Sequence, residues 1–148
     1  MNLKDELNHD LREAMKSKDK VRTETIRGLK SAVRYAEIEA GAEFGDADIA
    51  AVIVKQAKQR RDSIAEFQKA QRTDLVEKET AELAILKQYL PDQLSESEIK
   101  DKARTIIAEL GVTDIKGMGQ VMKHLMADLQ GQADGKVVNQ VVRELLSS

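Results

Sequence analysis

Residues 131–142 read GQADGKVVNQVV, and the fold class turns on what these positions do. Glycines ahead of a lysine suggest a phosphate-gripping loop, and the two Val-Val pairs suggest a strand. A phosphate loop needs a preceding strand and a Gly-Lys-Ser/Thr ending, and neither is present. A half-buried strand needs apolar residues at alternate positions. VVNQVV instead places them at i, i+1, i+4 and i+5, the spacing of a helix face. Asp134 stands where an N-cap belongs, and Gly131 and Gly135 relax the backbone on either side of it. Val137, Val138, Val141, Val142, Leu145 and Leu146 then cover almost half the helix circumference. So wide an apolar face predicts a helix packed against two others.

The same reading extends upstream. Met118, Val121, Met122, Leu125, Met126 and Leu129 give a helix ended by Gly131, and Ile99, Ala103, Ile106, Ile107 and Leu110 give another ended by Gly111. SESE at 95–98 has the spacing of a capping box, a serine answered by an acid three residues on. Pro91 makes continuation of the preceding helix costly. The strongest boundary therefore falls at 91–94, with a helical domain over 1–91 and a three-helix bundle over 95–148.

In the N-terminal part Leu3, Leu7, Leu11 and Met15 form one stripe, and KSKDK at 16–20 has nothing to bury and reads as a turn. Val21, Thr25, Ile26, Leu29, Ala32, Val33 and Ala36 share a face of a second helix over about 20–40, which the segment 41–45 interrupts. Asp46 is placed to cap a third, carrying Ile49, Val52, Ile53, Ile64 and Phe67. Thr73 or Asp74 is placed to cap a fourth, carrying Leu83, Leu86 and Leu90.

Composition agrees with an all-α chain. Of 148 residues 41% are hydrophobic and 34% charged, against 3% aromatic and a single proline, a balance that favours helices with charged outer faces over sheets. No cysteine and only two histidines occur, so no metal site and no cofactor is expected. The first residues carry charges every few positions with no apolar core of a leader, and no uncharged run approaches the ~18 residues of a membrane span. A soluble cytoplasmic protein without membrane association is the expectation.

Chemistry-bearing patterns are sparse. There is no nucleophile elbow, His9 and His124 project away from the apolar stripes, and no catalytic residue is assigned. Acids sit beside bases at i, i+3, as in Glu13 with Lys16, Glu24 with Arg27 and Arg34 with Glu37, the pattern of solvated helix surface. The row Met118, Met122 and Met126 reads as core filling, with an adaptable groove for a partner helix as the alternative.

One surface signal has a direction. Lys55, Lys58, Arg60 and Arg61 concentrate positive charge with no acid between Ile49 and Arg61, and Arg27, Lys30 and Arg34 fall within an arc of about 60° at ~100° per residue. These seven residues are the candidate nucleic-acid contacts. The chain before Pro91 carries 17 basic and 17 acidic side chains, so the signal is a local face and not a bulk charge. No aromatics interleave these bases, which predicts contact with the backbone and shape of structured RNA and not base stacking.

KQRRDSIAEFQKAQRTDLVEKETAEL at 58–83, KQYLPDQLSESEI at 87–99 and MGQVMKHLMADLQGQADGKVVNQVV at 118–142 together resemble the YqeY family, which is related to the tail of the B subunit of tRNA-dependent Asp/Glu amidotransferase. The resemblance covers nearly the whole chain, with the KQRRDS box, the YLP-x-QLS junction, the MG-x-VM opening and the G-x-ADG-x-x-V ending in order. It implies a helical N-terminal domain and a three-helix tail. It also implies a role in holding tRNA or an amidotransferase-like assembly, which is a glutamine-dependent carbon-nitrogen ligase. The kinase and transamidation portions of that enzyme do not fit in 148 residues, so a non-catalytic adaptor is expected. Gly131, Asp134 and Gly135 are mapped as structural signature. The alternatives are an accessory or stand-alone glutamine-dependent amidation factor, which releases ammonia from glutamine, and a protein-protein interaction module without RNA.

Overall fold

The computed structural model describes residues 2–129 and 131–147, and every regular element among them is a helix. The chain divides into two compact units, Met1–Leu90 and Pro91–Ser148.

The first unit holds α1 (Leu3–Lys16), α2 (Lys20–Ala40), α3 (Asp46–Lys69) and α4 (Thr73–Lys87). Its core joins Leu7, Ile26, Leu29, Val33, Ile49, Ile53 and Leu86. The apolar stripe expected along α1 holds only in part, because Met15 is 50% exposed while Ala14 is buried. A four-residue spacing advances 400°, so three steps carry Met15 about 120° away from Leu3, whereas Ala14 lies about 20° from it. The turn at Ser17–Asp19 follows, with Lys18 in the left-handed region at φ 58° and the Asp19 carboxylate capping α2 through Arg22 N–H at 3.1 Å. α2 ends on Gly41 at φ 68°.

Two expected caps are corrected. Gly45, not Asp46, is the N-cap of α3. The Asp48 carboxylate accepts from Gly45 N–H at 3.3 Å, and Asp46 instead accepts from Leu3 N–H at 2.9 Å, which ties α3 to the start of α1. Arg72 precedes α4 without a side-chain cap. Thr73 is the first helical residue, and the Asp74 carboxylate accepts from the Arg72 guanidinium at 3.2–3.3 Å. α3 and α4 pair as a hairpin about a tight turn. Their ends nearest α1 and α2 supply core residues, but between positions 58 and 82 no side chain is fully buried. The outer half of the hairpin therefore rests on a single seam, and polar contacts across that seam matter.

The second unit holds α5 (Glu96–Leu110), a 3-10 turn (Ile115–Gly117), α6 (Met118–Leu129) and α7 (Gly135–Ser147). Ser95 Oγ accepts from Glu98 N–H at 3.2 Å while the Glu98 carboxylate accepts from Ser95 N–H at 3.1 Å, a complete capping box. Gly111 closes α5 at φ 67°. Ile99, Ala103, Val121, Leu125, Leu129, Val138, Val141, Val142 and Leu146 form the core, and Met118, Met122 and Met126 pack against it. The methionine row is thus core filling. The stretch quoted first is a turn and a helix: Gly131 takes φ 82°, and Asp134 Oδ1 accepts from Lys136 N–H at 2.7 Å to cap α7. Gly135 is already the first helical residue, so only one of the two glycines supplies a left-handed turn.

Candidate nucleic-acid interface

α2 carries Arg27, Lys30 and Arg34 along one side because residues three and four apart stack on the same face, while Ile26, Leu29 and Val33 on the adjoining side bury against the core. None of the three cations has an ion-pair partner among the described residues. The Arg27 guanidinium reaches only the Met15 sulfur, at 3.7 Å. The i, i+3 pairs expected for Glu24 with Arg27 and Arg34 with Glu37 do not form. Of the three pairs read from sequence only Glu13 with Lys16 does, at 3.6 Å.

Glu37 is taken by Lys4 of α1, whose Nζ lies 2.7 Å from Oε2, and the same oxygen accepts from Phe44 N–H at 2.8 Å. The Glu37 side chain is only 7% exposed. The Lys4 bond, reinforced by the Phe44 N–H, holds its carboxyl below the ordinary carboxylate range, and the same bond raises the Lys4 ammonium. Beside this pair lies a half-open cavity of about 240 Å³, lined by Lys4, Asn8, Lys30, Arg34 and Glu37 around Leu7, Val33 and Ile49.

The α3 cations differ among themselves. Lys55 and Arg61 are exposed and without an ion-pair partner among the described residues. Lys58 bridges to Asp62 at 2.9 Å on the helix surface. Arg60 turns toward α4, with Nε 2.9 Å from Glu82 Oε2 and 3.4 Å from Glu79 Oε2. That N–H is not aimed at either oxygen, so the contact is one of charge more than of directed hydrogen bonding. Burial, more than the neighbouring Glu79, raises the Glu82 carboxyl against the pull of Arg60. Arg60 is therefore spent across the hairpin seam, where it offsets two acids that face each other.

The sequence reading missed Tyr35. It is 68% exposed and follows Arg34 on α2, with Ile38 exposed one turn on. The signal was present, since neither residue falls on the apolar face of the helix. A second aromatic, Tyr89, is a structural tie whose hydroxyl donates to Asp10 Oδ2 at 2.5 Å, with Arg22 alongside at 3.7 Å from the same oxygen. Burial, then the Asp10 bond, pushes its phenol well above the ordinary range. His9 and His124 are both exposed, no group of three or more His, Asp or Glu suited to a metal ion occurs among the described residues, and no helix there is long and apolar enough to cross a membrane.

The model of the Yqey-like protein family matches residues 4–146, and the chain belongs to that family. Among curated proteins it is similar to Altered inheritance of mitochondria protein 41, mitochondrial, of Lachancea thermotolerans, 44% identical over 108 residues, or 70% of this chain and 57% of that protein. The protein of the same name from Pyrenophora tritici-repentis is 33% identical over 145 residues, 96% of this chain and 80% of its own length. That from Clavispora lusitaniae is 35% identical over 123 residues, covering 81% and 72%. These relatives are named as mitochondrial, which overturns the cytoplasmic expectation. The features behind that expectation do not discriminate, because mitochondrial targeting segments are amphipathic and Arg-rich and lack the long apolar core of a secretory leader.

Proposed function

We propose that this YqeY-like protein is a helical adaptor that holds structured RNA, tRNA foremost, by its phosphate backbone, and that it serves an assembly of the tRNA-dependent amidotransferase kind. The observation that carries the reading is the row Arg27, Lys30 and Arg34, three cations on one side of α2 without a carboxylate partner among the described residues. Cations left unpaired beside a folded core retain their attraction for phosphates, and neutralising those phosphates releases counterions. Such contacts are points of charge that position an RNA without reading its sequence. Lys55 and Arg61 extend the set on α3, and Lys58 joins it by exchanging Asp62 for a phosphate. Arg60 contributes indirectly by keeping the hairpin closed. Tyr35, exposed next to Arg34, adds a ring on which an unpaired base stacks. The link to an amidotransferase is supported by the order of the four sequence motifs shared with the family.

The test is fluorescence anisotropy with labelled bulk tRNA. Arg27→Gln, Lys30→Gln and Arg34→Gln combined are expected to weaken binding at least tenfold with the helical circular dichroism unchanged. Tyr35→Ala is expected to weaken it by roughly fivefold or more, in keeping with base stacking on an aromatic. Undiminished binding by the triple variant removes the reading. In that case an interaction that survives ribonuclease and high salt supports a protein partner instead.

A further inference from the structure

The cavity beside α2 has a feature that a polymer phosphate does not call for. Of the four charged groups at its rim, Lys4 and Glu37 neutralise each other, and Glu37 is fixed further by Phe44 N–H. Lys30 and Arg34 remain without a carboxylate, and Asn8 adds an amide. Beneath them lie Leu7, Val33 and Ile49, three side chains of the hydrophobic core that also line the cavity. A backbone phosphate is solvated on every side and gains nothing from such a floor. A volume of about 240 Å³ is roughly eight times the ~30 Å³ share of one water, room for a head group and a few carbons.

We propose that this cavity binds a small organic oxyanion. A carboxylate or phosphate head is held by Lys30 and Arg34, and a short hydrocarbon body lies on Leu7, Val33 and Ile49. The planar guanidinium of Arg34 matches two oxygens of either head group, and Lys30 supplies a second, mobile charge. Asn8 orients the head through its amide. Glu37 is held closely by Lys4 and only attracted at longer range by Arg34, so an anion entering the cavity meets Lys30 and Arg34 without a carboxylate bonded to either. The site goes beyond the RNA reading, with which it shares Lys30 and Arg34 but not Arg27.

The experiment is a titration of the ¹⁵N-labelled full chain with acetate, butyrate, inorganic phosphate and butyl phosphate at constant ionic strength, followed by amide shifts. Saturable shifts are expected at Asn8, Lys30, Val33 and Arg34, with butyrate tighter than acetate by about fourfold for each methylene that becomes buried. Lys30→Gln with Arg34→Gln is expected to weaken butyrate at least tenfold, the spectrum itself reporting that the fold is intact. Arg27→Gln is expected to weaken tRNA while leaving butyrate binding as it was, which separates this site from the RNA proposal. Saturable binding of butyrate tighter than acetate, or of butyl phosphate tighter than inorganic phosphate, supports the site, and the ratio of butyrate to butyl phosphate affinity identifies the head group. Equal affinity of acetate with butyrate and of inorganic phosphate with butyl phosphate, or shifts as large at Lys55 and Arg61 as at Lys30, overturns it in favour of general anion attraction. Absence of binding by both butyrate and butyl phosphate overturns it as well.

Discussion

Lys4 and Glu37, 33 positions apart, meet at 2.7 Å, and that bond decides the charge of the neighbouring helix face. Glu37 stands three residues after Arg34, where an i, i+3 pair is expected. Because α1 delivers Lys4 to the carboxylate first, Arg34 is left unpaired among the described residues. A structural ion pair between two helices thus leaves Arg34 with only a longer-range attraction to Glu37.

The pair sets a pH dependence. Glu37 is depressed in the fold, so the stability it contributes is fully present above its ordinary value of 4.5 and is lost as pH falls through the lower folded value. Lys4 is raised, so its share is present below 10.5 and is lost as pH climbs through the higher folded value. Glu37→Gln keeps the shape and the bond from Phe44 N–H but removes the charge. Its melting temperature is expected to fall at pH 7, and its acid loss of stability below pH 4.5 to be shallower than that of the parent. Thermal melts from pH 3 to 7 check this.

Arg60 and Arg61 are adjacent in sequence and unequal in expected effect. Arg60→Gln leaves Glu79 and Glu82 facing each other and is expected to cost about 1–3 kcal/mol by chemical denaturation, the scale for a charged group deprived of its partner. Arg61→Gln, on the exposed side, is expected to stay within about 0.5 kcal/mol.

Glu82→Gln has the opposite sign. The carboxyl of Glu82 is raised by burial, so its ionised form is a burden at neutral pH, and the fold gains relative stability as pH falls through the raised value toward 4.5. The glutamine variant, in which Arg60 keeps Glu79, is expected to melt higher than the parent at pH 7 and to lose that acid-side gain.

The two glycines of the GQADG turn are separable. Gly131 at φ 82° pays no Cβ penalty, and Gly131→Ala is expected to cost about 1–2 kcal/mol. At Gly135 a Cβ meets only the Met126 methyl at 3.8 Å, an ordinary contact. Gly135→Ala is expected to be neutral or to gain up to about 1 kcal/mol through the unfolded chain. Urea unfolding of both variants measures the difference.

The helical class was legible because periodicity is a local property: the VVNQVV spacing, the Ser95–Glu98 box and Gly111 each need only their neighbours. The cap at Asp46 was placed one residue late, and that at Thr73 or Asp74 one or two, since several polar residues in a row fit a helix start equally well. Long-range partners left no trace in sequence. Nothing local says that Lys4 takes Glu37, that Arg60 turns inward while Arg61 turns out, or that Asp46 holds Leu3. Among the proposed contacts, charge density named the residues, but only tertiary packing separates those held by carboxylates from those left open. Tyr35 was overlooked because low aromatic content was read for the whole chain and not position by position along α2.

The most direct measurement of the central claim is the salt dependence of tRNA affinity, with the logarithm of the binding constant plotted against the logarithm of salt concentration. Each phosphate contact contributes about 0.7 to 0.9 to the slope. Replacing Arg27, Lys30 and Arg34 by Gln is predicted to reduce the slope by about 2 to 3 while leaving the fold intact. A slope identical to that of the parent protein contradicts the account.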